Sequence, residues 1–128
     1  MKYISETQKT IDDAARDLET SIKANGFGIL HTYNLKEILK SKGIDLPEEC
    51  RVFEICNPVQ ASEVLAIDMD VNMALPCRMS VWQDKDKKVK IGMIPPKAMM
   101  ESLSASPVLK DIAADVEEKM KAIIWAAK

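Results

Sequence analysis

The spacing of apolar residues changes several times along the chain, and each change marks an element. Residues 3–9 read as a first strand. Ile11, Ala14, Ala15, Leu18 and Ile22 then recur at helical spacing, and Gly26 stands where a helix-ending glycine belongs. Thr10 precedes this run as a cap, with Asp12 and Asp13 near the positive end of the helix. A second strand over residues 27–33 places Phe27, Ile29, His31 and Tyr33 on one face by its period of two. Asn34 with Glu37 three residues later starts a short helix over 35–39, which Gly43 ends before a loop holding Pro47. Residues 51–56 form a third strand. Asn57-Pro58 follows as a helix start, because Asn caps well and Pro suits the first helical position, and that helix runs to about Ala66.

Asp68 to Asn72 reads as an acidic turn, and residues 73–75 as a short strand leading into Pro76. Residues 79–82 and 89–93 make a hairpin around Asp84-Lys85-Asp86-Lys87, and Pro95-Pro96 breaks the sheet. A short helix is expected over 97–103. Ser106-Pro107 starts a long final helix with a wide apolar stripe from Leu109 to Ala127, and Trp125 is expected to help dock it. This order predicts a single α+β domain: a mostly antiparallel sheet with its two long helices on one face. Simple alternation leaves Leu30, Thr32, Val52, Glu54, Cys56, Arg78, Ser80, Trp82, Lys90 and Ile94 on the other face. That set is too apolar for a wet surface and too polar for a core. It suits a twofold homodimer, with Leu30, Val52, Trp82 and Ile94 as the dimer face, or the floor of a ligand cleft.

Composition narrows the function classes. With 47% apolar and 30% charged residues, the chain is neither disordered nor membranous. Its net charge of −2 and its three arginines argue against nucleic-acid binding. No apolar run approaches the ~20 residues that cross a bilayer. The first residues lack the apolar stretch of a signal peptide, so a cytoplasmic location with reduced thiols is expected. An odd count of three cysteines agrees. Glycine-rich phosphate loops, a serine nucleophile elbow and a two-histidine metal helix are all missing, and no cofactor follows from the residues.

The candidate chemistry gathers around two prolines. Cys56 precedes the Asn57-Pro58 helix start, where a thiolate would be favoured; a small buried hydrophobe there is the alternative. Cys77 lies between Pro76 and Arg78, and the alternation of strand side chains sets Cys77 with Met79 and Val81 rather than with Arg78. The two cysteines match neither a redox C-x-x-C nor a zinc-knuckle pattern. His31, the sole histidine, is either a hydrogen-bonded strand residue or a third ligand beside two thiolates. Glu54 is either an acid/base group or a rim residue paired with Arg78 or Lys90. Asp68, Asp70 and Asn72 alternate as calcium ligands do but lack the glycine and distal glutamate of a calcium loop, which favours a solvated turn and no metal.

Gly26-Phe27-Gly28-Ile29-Leu30-His31-Thr32, Leu35-Lys36-Glu37, Val52-Phe53-Glu54-Ile55-Cys56-Asn57-Pro58 and Ala74-Leu75-Pro76-Cys77-Arg78, in this spacing, resemble the domain of unknown function, family 302. The resemblance implies a curved antiparallel sheet with helices packed on it, similar to the TATA-binding protein and helix-grip folds, and found as dimers. It implies no catalytic residue and no nucleic-acid role. The leading expectation is a dimeric domain that binds a small molecule or a partner in a cleft near Phe27, Tyr33, Cys56, Cys77 and Arg78. Thiol redox or sulfur transfer through Cys56 and Cys77 is the alternative, and a purely structural interaction module the third.

Overall fold

The computed structural model describes residues 1–128. Five strands, β1 (Tyr3–Thr7), β2 (Gly28–Asn34), β3 (Cys50–Cys56), β4 (Cys77–Gln83) and β5 (Val89–Met93), form one sheet in the order β1-β5-β4-β3-β2. Every neighbouring pair is antiparallel. The helices are α1 (Ile11–Ala24), α2 (Leu35–Ser41), α3 (Pro58–Ile67), α4 (Pro96–Glu101) and α5 (Pro107–Ala127). Four of them begin at the residues that the sequence marks. Thr10, Asn34, Asn57 and Ser106 each accept a backbone N–H three residues ahead, which satisfies one of the free donors of the first turn.

The α1 helix lies against β2, β4 and β5, and α5 packs beside it. Leu18 and Ile22 of α1, Met120, Ile123 and Ile124 of α5, and inward residues of the sheet such as Ile55, Met79 and Ile91 share one buried cluster. Removing that apolar surface from water supplies the main drive for folding. A buried Ser21 hydroxyl donates to the Ile123 carbonyl at 2.8 Å and pins the two long helices together. The α+β expectation, with both long helices on one face of an antiparallel sheet, holds. No helix is long and apolar enough to cross a membrane.

Three local expectations are corrected. Residues 73–75 are not a strand: Met69–Ala74 forms a 3-10 helix, because Asp68 caps it by accepting from Asp70 N and Leu75 N closes onto the Asn72 carbonyl. Trp125 does not dock the last helix. It is 69% exposed, with the Lys128 ammonium 4.0 Å from its ring centre, because Ile123, Ile124 and Ala127 already fill the buried stripe. The third correction is a bulge in β2 between Ile29 and His31. Ile29 opposes Ile55 on the helix-covered side, whereas His31 opposes Glu54 and Tyr33 opposes Val52. One extra residue reverses the alternation. His31 and Tyr33 therefore stand on the face opposite α1 and α5, their rings 4.4 Å apart, while Thr32 turns to the side of Phe53.

Candidate functional site

Because Phe53, Ile55, Met79 and Val81 point into the core, the residues between them on β3 and β4 point away from it. Glu54, Arg78, Ser80 and Trp82 thereby form the floor of a cleft of about 570 Å³ on the face opposite α1 and α5. One wall is the chain that leaves the 3-10 helix, Met73 to Cys77, with the Leu75–Pro76 peptide bond cis. Another is the chain from Met93 through Ile94 and Pro96 to Met99, where the proline pair ends β5 and starts α4. Ile4 of β1 and Lys2 just before it close the remaining side. Most of the lining is apolar, with a few polar groups converging from the floor, as in small-molecule sites generally.

Gly92 sets the depth of the floor. A Cβ placed on it would stand 2.8 Å from Cη2 of Trp82, 3.0 Å from the Tyr3 carbonyl oxygen and 3.1 Å from Cγ1 of Ile4. The missing side chain is what lets the Trp82 indole lie across β5 instead of standing up into the cleft. A glycine inside a strand marks such a close approach.

Glu54 and Arg78 are directly opposed on β3 and β4, yet their side chains form no ion pair within 4 Å. The Glu54 carboxylate instead accepts a 2.6 Å hydrogen bond from the Tyr33 hydroxyl across the bulged edge. That bond holds the phenol proton and, with burial second, pushes the Tyr33 pKa above its ordinary value. Lys90, the other expected partner of Glu54, pairs with Asp84 at 3.2 Å in the β4–β5 turn. Arg78 is thus left without an ion-pair or hydrogen-bond partner in the cleft, and so is Lys2 at its edge.

The two Pro-flanked cysteines do converge. Ile55 opposes Cys77, so Cys56 lies one residue beyond at the same end of the β3–β4 pair. Both line a void of about 20 Å³ under α3, with Phe27, Val64 and Met100 around it. That space holds about one water molecule, not a ligand. Cys77 also reaches the wall of the large cleft, but it is 8% exposed, and burial, assisted by Cys56, pushes its thiol up to about 11. Burial likewise raises Cys50, which opposes Trp82. No three His, Cys, Asp or Glu side chains come together as a metal site. Asp68 and Asn72 are occupied in holding the 3-10 helix, Asn72 Nδ2 donating to the Met69 carbonyl.

Of the residues singled out from the sequence, Cys77, Arg78, Glu54, Trp82 and Ile94 meet at the cleft. Cys56 and Phe27 belong to the small void, and Tyr33 touches the site only through Glu54. His31 stacks edge-on to Tyr33 and is exposed. Val52 is corrected as a dimer-face residue: at 3% exposure it is buried within the single chain. Leu30 and Ile94 are each 61% exposed. Ile4 escaped sequence reading, because a single apolar residue on an edge strand carries no signal of a site.

Comparisons with known proteins agree with the fold. The crystal structure of an uncharacterized conserved protein DUF302 from Bacillus stearothermophilus is similar over 99% of this chain and 98% of its own, at 33% identity and a TM-score of 0.90. No curated protein matches. The family model described as "Domain of unknown function DUF302" matches residues 3–127. The chain therefore belongs to the DUF302 family.

Proposed function

We propose that this chain binds a small organic molecule in the cleft on the face of its sheet opposite α1 and α5. The supporting observation is the cleft itself: about 570 Å³, walled by apolar side chains, with polar groups only at a few points. A cleft of that size suits a molecule of metabolite to drug dimensions, whose apolar part would be removed from water. Native mass spectrometry of the purified protein, before and after gentle denaturation, tests the reading. A retained mass is expected, and Ser80→Trp, which fills the floor, should abolish it. A mass equal to the bare chain, with no organic probe bound, would count against the cleft as a binding site.

A second copy of the chain over the same face is the second reading. It is favoured by the exposed apolar residues at the mouth, Ile4 at 40%, Met73 at 69% and Ile94 at 61%. The two readings are compatible, since a dimer would roof the cleft. Thiol chemistry at Cys56 and Cys77 has less support: with the Cys77 thiol pushed up to about 11, its thiolate is scarce at neutral pH.

A further inference from the structure

The chemistry inside the cleft narrows the ligand class. Arg78 projects from the floor with no partner, although a carboxylate lies directly across the ladder. Glu54 accepts from the Tyr33 hydroxyl at 2.6 Å and makes no ion pair with Arg78, whose guanidinium carries a planar fork of donors. On the floor Glu54 opposes it and Ser80 separates it from Trp82, which is pressed close to the sheet over Gly92, while the walls are mostly apolar. We propose that the ligand is an amphipathic monocarboxylate, its carboxylate bound by Arg78 and its apolar body laid over Trp82 toward Met73, Ile94 and Met99.

Three features carry this assignment. A guanidinium matches a carboxylate with two parallel hydrogen bonds. The ionic groups of the cleft are two cations, Lys2 and Arg78, against one carboxylate, Glu54. That balance suits a single negative charge. A dianion such as a phosphate monoester would set its second charge near Glu54 with only Lys2, at the rim, to offset it. The walls supply no further charged group, so the remainder of the ligand is apolar.

This proposal rests on the cleft reading above, and one titration separates the two. Trp125→Phe leaves Trp82 as the sole tryptophan, so its fluorescence reports the cleft floor. The protein is titrated with decanoate, decanol and decyltrimethylammonium, which share an apolar chain and differ in head group. Decanoate is expected to bind best, with decanol and the cation roughly 10- to 100-fold weaker, the range for a charge-assisted hydrogen-bonded pair. Arg78→Gln should bring decanoate down to the level of decanol, and Arg78→Lys should restore part of the preference. Arg78 is exposed, so these variants leave the core untouched. If decanol or the cation binds as tightly as decanoate, the carboxylate assignment falls and the cleft reading stands. If decanoate binds Arg78→Gln undiminished, Arg78 is not the anchor and the assignment falls likewise. If none of the three perturbs Trp82, both readings fall.

Discussion

Gly92 matters for the side chain it lacks. The three close approaches around its missing Cβ involve the Trp82 indole, the Tyr3 backbone carbonyl and the Ile4 side chain, and the carbonyl cannot swing aside. Gly92→Ala should destabilise the fold by about 1–3 kcal/mol, as overpacking does, and lower the urea midpoint. An unchanged midpoint would show that Trp82 can leave the sheet without loss. Cys77 carries the clearest pH signature. Unfolded, its thiol ionises near 9.0; folded, burial moves this to about 11. Below pH 9 both states hold the proton and the full stability is present. Between the two values only the unfolded state releases it, so stability falls as pH rises, by roughly 2–3 kcal/mol over the window. Urea unfolding at about pH 8 and about pH 11 should show a smaller loss for Cys77→Ala than for the parent chain. Equal losses would mean that the thiol ionises as freely in the fold as outside it.

Among the elements, α3 shows how a local signature can have a plain structural role. Asn57 accepts from Gln60 N at 3.1 Å, Pro58 occupies the first turn, and the helix then roofs the void that both cysteines line. Asn57→Ala should cost about 1 kcal/mol of stability, read from chemical unfolding, without disturbing a ligand in the large cleft. Loss of ligand binding in that variant would tie the Cys-Asn-Pro segment to the site. The helix starts were legible because a cap is a short-range bond between residues three apart. The β2 bulge was not. Leu30, His31, Thr32 and Tyr33 offer no sharp contrast of apolar and polar positions, so nothing in the pattern records the slip. The 3-10 segment was missed for a similar reason, since six residues are too few to display a period.

For the whole molecule, the two faces of the sheet have separate roles. One carries α1 and α5 and most of the core; the other is covered only in part, and there the chain from residue 73 to 77 and the chain from 93 to 99 enclose the cleft. If the mouth is also where a second copy docks, Ile94→Glu should convert a dimer to a monomer in sedimentation with little change in thermal stability, because Ile94 is 61% exposed in the single chain. A parent chain that sediments as a monomer would remove the dimer reading and leave the ligand reading intact. The sequence by itself determined the α+β class, the caps, the core stripes of the long helices and the family, because periodicity and capping are local physics and the spaced motifs around Cys56 and Cys77 are specific. Only the tertiary structure decided that Arg78 is unpaired, that Glu54 is held by Tyr33, that Val52 is covered, and that the two cysteines border a packing void while a larger cleft lies beside them. Those facts depend on which strands become neighbours and in what register, and a single extra residue in β2 is enough to exchange the side chains on its two faces.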